Sequence, residues 1–231
     1  MLTAPLLFSE GLQSAEDYSL RFCSASLVRL LRYFAFAVTV WLPGFFLAVV
    51  QYHVEIIPFR LLLSMTAAEA ATPFSTGVSL LLIGVIYEVL REAGIRLPKP
   101  AGQAISIVGA IVMGDAAVAA NLISAPVLIV LAITVVASFV AVAYVDAALV
   151  LRNIMLFAAW AAGLLGLLLA SMVLLIYLCS LTSCGVPFLA PFSPLDRAAL
   201  KDTLIRFPLR ELRFRPRALS ANRRRQGGGP S

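Results

Sequence analysis

The chain has 231 residues, of which 61% are hydrophobic and only 13% are charged. Soluble domains average about 45–50% apolar and about 25% charged residues, so the composition excludes an ordinary water-soluble globule. It also excludes a disordered chain, which needs low hydrophobicity and high net charge. The three cysteines and the single histidine form no CxxC or Cys/His cluster, so we expect no disulfide scaffold, no metal site and no cofactor.

The net charge of +6 is concentrated at one end of the chain. Residues 196–231 hold ten basic and three acidic residues, whereas residues 1–195 hold eight basic and nine acidic residues. A basic tail on a hydrophobic body is typical of the cytoplasmic side of a membrane protein. Nucleic acid is not expected as a partner, because no aromatic stacking platform accompanies the tail. Six arginines are instead predicted to attract anionic membrane lipids: Arg213, Arg215, Arg217, Arg223, Arg224 and Arg225.

A transmembrane helix needs about 20 mostly apolar residues. Five stretches reach or approach that length, and Pro43 in the first of them predicts a kink. They are, in chain order, residues 33–52, 74–90, 104–124, 127–145 and 154–181.

Basic residues at three places predict the orientation of these spans. Arg29 and Arg32 before the first span, the linker 91–99 after the second and the C-terminal tail should all be cytoplasmic. Five full crossings would place the tail outside the cell. We therefore expect one segment to be re-entrant, and a sixth crossing at residues 56–71 is the alternative.

The predicted fold class is an all-α, multi-pass helical membrane protein with about 4–6 membrane segments, one of them re-entrant. It has an interfacial N-terminal segment (1–32), a transmembrane domain (33–183) and a basic cytoplasmic tail (184–231).

The third predicted span has a face of small and polar residues. At 100° per residue, six positions fall within a stripe of about 80° on a helix. One interpretation is that the stripe lines a water-filled path in an oligomer, and the alternative is close helix packing through small residues. The six positions are Gln103, Ser106, Ala110, Gly114, Ala117 and Asn121.

An acidic residue, Asp115, falls within the same span but off the stripe. A carboxylate inside a membrane is costly to bury and marks a functional site by default. The alternative is a satisfied buried acid with no mechanistic role. No Gly-rich phosphate loop, nucleophile elbow or paired-carboxylate site is found in the sequence, so we expect no catalytic residues and no enzyme.

Several specific strings extend from about residue 13 to residue 217, and the longest runs from Glu88 to Val118. Others are QSAEDY at 13–18, LLRY at 30–33, LPG at 42–44, GVP at 185–187 and LKDTLIR at 200–206. Together these strings resemble the A-subunit family of GerA-type spore germinant receptors. Where that family usually has acids in the second span, this chain has Ser79 and Gly84.

The resemblance implies a multi-pass subunit of the spore inner membrane that acts with a permease-like B subunit and a lipoprotein C subunit. Such complexes sense small nutrients and trigger ion release and germination, and their A subunit resembles an oligomeric, ion-conducting component. That favours pore lining for the stripe, with a non-conducting scaffold as the alternative. Family members carry a large cytoplasmic domain before the matching region, so residues 1–32 are expected to be the remnant of a lost domain. A truncated gene model, a split gene and a degenerate or truncated paralogue are the alternative explanations.

Overall fold

The computed structural model describes residues 7–14, 17, 21–96, 112–195 and 203. These residues are mostly helical, as the sequence predicts. In chain order the α-helices are α1 (Phe8–Gly11), α2 (Phe22–Tyr52), α3 (Phe59–Ala70), α4 (Thr76–Arg96), α5 (residues 112–119), α6 (Ala125–Val140) and α7 (Val145–Ser180). Short 3₁₀ turns lie at Val54–Ile56 and Val142–Tyr144, and a small hairpin pairs β1 (Thr182–Ser183) with β2 (Val186–Pro187).

The contacts divide the chain into two compact units. The first contains Met1–Ala37, Ser138–Ala148 and Leu169–Ser231, and the second contains Val38–Ala137 and Leu149–Leu168. Each unit has its own packed interior.

The interior of the first unit contains an aromatic cluster around Phe8. The Phe8 ring contacts the rings of Tyr33, Phe36, Tyr144 and Phe188, at centroid distances of 5.4–6.3 Å. The Phe8 backbone N–H also donates to the Phe188 carbonyl at 2.9 Å. Through these contacts α1 packs between the start of α2 and the segment that follows the hairpin.

The core of the second unit is aliphatic and comes from α2, α4, α6 and α7, together with Ile123 in the turn before α6. Partly buried side chains, including Phe46, Leu128 and Trp160, pack against it. Its fully buried members are Leu47, Leu80, Ile83, Ile123, Val127, Leu131 and Leu156.

Among the described residues, two helices, α2 and α7, are long and apolar enough to cross a membrane, and α6 is a shorter apolar helix of 16 residues. The second half of α7 exposes many large apolar side chains, including Leu168, Val173 and Ile176. That exposure suits a lipid-facing surface. At 12 residues, α3 is roughly 18 Å long, shorter than a bilayer core. The number of crossings and the re-entrant segment stay predictions.

Several expected boundaries are wrong. The basic linker at 91–99 is helical as far as Arg96, because Arg91 and Arg96 pair with Glu88 and Glu92 one turn earlier and extend α4. The span 127–145 ends as an α-helix at Val140 and continues in a 3₁₀ turn. The first helix begins at Phe22 and continues through Pro43.

The stretch predicted as the last span, 154–181, is kinked. Ala162 and Gly163 leave helical geometry, and Gly163 has φ 60° and ψ −139°, a conformation open to glycine but costly for other residues. The Tyr52 hydroxyl donates to the Trp160 carbonyl at 2.7 Å beside the kink. A side chain at Gly166 would collide with the Ala158 carbonyl, so both glycines are needed for this shape.

We expect Gly163→Ala to lower the free energy of unfolding by about 1–3 kcal/mol, because alanine is strained at this φ and its Cβ would lie 3.0 Å from the Tyr52 ring. Thermal unfolding in detergent measures the change. Gly84→Ala is the control, since a Cβ there meets no atom within 4 Å. Equal stability of the two variants would contradict the assigned kink.

Candidate functional site

Two described residues of the small-residue stripe, Gly114 and Ala117, pack against their own chain. Gly114 is buried, and a Cβ at this position would lie 3.4 Å from the Leu128 side chain on α6. Ala117, one turn later, packs against the core of the second unit. Both contacts are those that the helix-packing alternative requires. The pore-lining role of the stripe stays a prediction.

Asn121 lies beyond α5 and not on it, so the expected helix 104–124 is wrong at its C-terminal end. Asn121 has φ 53°, the Leu122 N–H donates to the Ala117 carbonyl at 2.9 Å, and the Asn121 N–H donates to the Val118 carbonyl at 3.0 Å. This pattern is a Schellman motif, in which asparagine is one of the few residues that tolerate the left-handed position. Asn121 therefore terminates the helix before α6 begins.

Asp115 lies next to the packed face and points the other way. It is exposed, as are its neighbours Val112, Met113 and Ala116, whereas Gly114 between them is buried. The surrounding side chains of α5 are apolar or small. A carboxylate in such a segment needs water, a cation or a second protein surface to compensate its charge.

The remaining predicted site residues lie outside the described residues. They are Gln103, Ser106 and Ala110 of the stripe and the six tail arginines, Arg213, Arg215, Arg217, Arg223, Arg224 and Arg225.

Two of the sequence strings meet at a buried ion pair in the first unit. Asp17 of the QSAEDY string accepts from Arg32 Nη1 of the LLRY string at 2.8 Å, and from Arg29 Nε at 3.3 Å. The side chains of Asp17 and Arg29 are 0% exposed. The Ser14 backbone N–H donates to the same carboxylate at 3.2 Å, and Arg32 also donates to the Leu12 carbonyl at 3.3 Å.

This arrangement adds a structural role for Arg29 and Arg32. They are expected to mark the cytoplasmic end of the first span, which stays a prediction, and in the structure they also bind Asp17 of the N-terminal segment to the start of α2. Burial alone would raise the pKa of Asp17, but the hydrogen bonds from Arg32 and Ser14 and the positive charge of Arg32 outweigh it and hold that pKa below 3.8. Asp17 is therefore ionised throughout the neutral range.

Sequence reasoning missed Arg152, which is buried in α7 at 6% exposure. The charge of Arg152 interrupts the apolar run, so the predicted span begins two residues later, at Ile154. An arginine within an apolar helix was itself the available signal. Within the described ranges, no group of three or more His, Cys, Asp or Glu side chains could hold a metal ion.

The family model described as the Bacillus/Clostridium GerA spore germination protein matches residues 1–218. The chain belongs to this family. Among the relatives, spore germination protein KA of Bacillus subtilis is 40% identical over 222 residues, and spore germination protein GerLA of Bacillus cereus is 39% identical over 222 residues. The membrane protein YfkQ of Bacillus subtilis is 37% identical over 229 residues.

The matches cover 94–98% of this chain but only 41–45% of those three relatives, so the chain spans less than half their length. No solved structure matches the chain. Family membership therefore rests on sequence, and it agrees with the apolar helices in assigning the chain to the membrane. The Asp17–Arg32 pair now gives two strings of the GerA resemblance a shared structural role.

We expect Asp17→Asn to lower the free energy of unfolding by about 3–5 kcal/mol at neutral pH, because it removes the negative charge that pairs with Arg29 and Arg32, and the Arg29 side chain is 0% exposed. Denaturant unfolding in detergent measures this loss. Glu10→Gln is the matched control, because Glu10 is an exposed acid of α1. Its free energy of unfolding is expected to lie within about 0.5 kcal/mol of that of the native chain.

The pH dependence of this loss follows from the lowered pKa. The stabilisation by Asp17 is complete above its unfolded pKa and is lost as pH falls through its lower folded value. The difference between the native chain and Asp17→Asn should therefore be constant above about pH 5 and shrink below pH 3.8. A difference that grows on acidification would contradict the ion pair.

Proposed function

We propose that this chain is a non-enzymatic membrane subunit of a nutrient-sensing spore germinant receptor, and that copies of it surround an ion-conducting path. The exposed carboxylate of Asp115 on α5 carries the second part of this proposal. Because Gly114 and Ala117 of the same helix are packed on the chain's own core, the Asp115 face is the one left for water or another copy. Rings of acidic side chains favour cations in channels.

The receptor assignment rests on the family and on the names of its members, which are spore germination proteins. A permease-like B subunit and a lipoprotein C subunit are the proposed partners, and the spore inner membrane is the proposed location. Because the chain covers less than half of these relatives, the activity of the whole receptor is part of the proposal.

A non-conducting scaffold that clusters receptor subunits is the second candidate. The packing of Gly114 on Leu128 favours it, since the small face is then used for contact and not for conduction. The two candidates differ in what they require of Asp115, because a scaffold gives that charge no role in ion flux.

We expect Asp115→Asn to lower potassium flux by about tenfold, as a loss of about 1.4 kcal/mol of cation stabilisation would. The assay uses vesicles that contain the full chain co-expressed with its two proposed partners. Glu55→Gln is the matched control, because Glu55 is an exposed acid in the short turn after α2. Flux from Asp115→Asn equal to that of the native chain, with the assembly intact, would favour the scaffold.

The basic tail places the C-terminus in the cytoplasm under this proposal. A reporter that works only in the cytoplasm should be active when fused after Ser231. Activity confined to an extracytoplasmic reporter at the same position would overturn the orientation and leave the receptor assignment untouched.

A further inference from the structure

A groove of about 810 Å³ lies within the second unit, between α4 and α7. One stripe of α4 forms its long wall, from Leu80 to Arg96, which is roughly 24 Å at the helical rise. The opposite wall comes from α7 and includes Arg152 and Phe157. The groove is thus long and narrow, unlike a compact pocket for a small solute.

The lining of the groove changes character along its length. Leu80, Gly84 and Val85 line one end together with Pro43 and Leu131, so that end is apolar. The other end contains charged and polar side chains: Glu88, Glu92, Arg96, Arg152 and Asn153. A ligand that fits both ends must itself be amphipathic.

The charged end has one positive charge that no ion pair balances among the described residues. Arg91 Nε donates to Glu88 at 2.6 Å, and Arg96 Nη2 lies 2.7 Å from Glu92, so both acids are already paired. Arg152 interacts with Glu88 only at longer range, and no described residue accepts a hydrogen bond from its guanidinium. Yet Arg152 is 94% buried and lines the groove. A buried guanidinium is costly unless an anion accepts its hydrogen bonds.

The apolar end has room for a hydrocarbon chain. A side-chain carbon placed on Gly84 would meet no atom within 4 Å, so the groove is open above this glycine. Val85 and Val89 beside it are 62% and 63% exposed, which suits contact with lipid. The same open space means that the groove can be filled by mutation without a collision.

We propose that this groove binds one anionic phospholipid, with the headgroup phosphate on Arg152 and an acyl chain along the Leu80–Val85 end of α4. The positive charge of Arg152 favours an anion, and the apolar end of the groove favours a ligand that carries an acyl chain. Arginine suits this ligand because its planar fork of donors matches a phosphate. Lipid binding at this site does not depend on ion conduction.

The test uses the full chain in detergent and native mass spectrometry, with phosphatidylglycerol and phosphatidylcholine of identical acyl chains as probes. The native chain should retain one phosphatidylglycerol at least tenfold more tightly than phosphatidylcholine. Arg152→Gln should remove most of this preference, about tenfold, as expected for loss of a charge-assisted hydrogen bond. Arg60→Gln, which removes an exposed arginine of α3, is the matched charge control.

A second variant separates lipid binding from folding. Gly84→Leu should fill the groove and abolish retention while the thermal unfolding temperature is kept or raised. Ala67→Leu, on the exposed face of α3, adds the same bulk elsewhere and should leave retention unchanged.

Three results would overturn the proposal. The first is equal retention of the two lipids by the native chain. The second is equally tight binding of glycerol phosphate, which carries the headgroup charge without a chain. The third is a Gly84→Leu variant that keeps its lipid but loses self-association, because a second copy would then be the occupant.

Discussion

The cost of placing charge inside an apolar chain is the constraint on which this structure depends. The chain meets it in three ways. Asp17 is compensated by Arg29 and Arg32 within the chain, and Glu88 and Glu92 are compensated by arginines one turn away. Arg152 and Asp115 have no such ion pair among the described residues, so a lipid phosphate and a permeating cation are the proposed partners of their charges. Both proposals follow from that difference.

Hydropathy and composition were sufficient to predict the class of protein and its longest helices. Helix α2 contains the predicted first span, and α7 contains the last. Their apolar runs exceed the length that a bilayer requires, and an α-helix satisfies its backbone polar groups within the segment. The strings that carried the GerA resemblance were sufficient to predict the family, because they extend over nearly the whole chain.

The features that hydropathy missed depend on contacts between distant residues or on single backbone angles. The Asp17–Arg32 pair joins residues 15 positions apart, with no periodicity to indicate it. Arg152 was missed because its charge lies just before the uncharged apolar run from which the last span was predicted. Asn121 is different, since asparagine followed by an apolar residue at a helix end is a recognisable stop signal. Its prediction as part of a helical stripe followed from angular position alone.

Because α7 is kinked, another segment with the same hydropathy as residues 154–181 would not have the same shape. The shape of α7 is set by Gly163, Gly166 and the Tyr52 hydroxyl, none of which changes the apolar character of the segment. A chimera that replaced residues 154–181 with polyleucine would insert into a bilayer equally well and would be straight. The apolar character of such a segment is therefore interchangeable between proteins, while its kinked shape is particular to this chain.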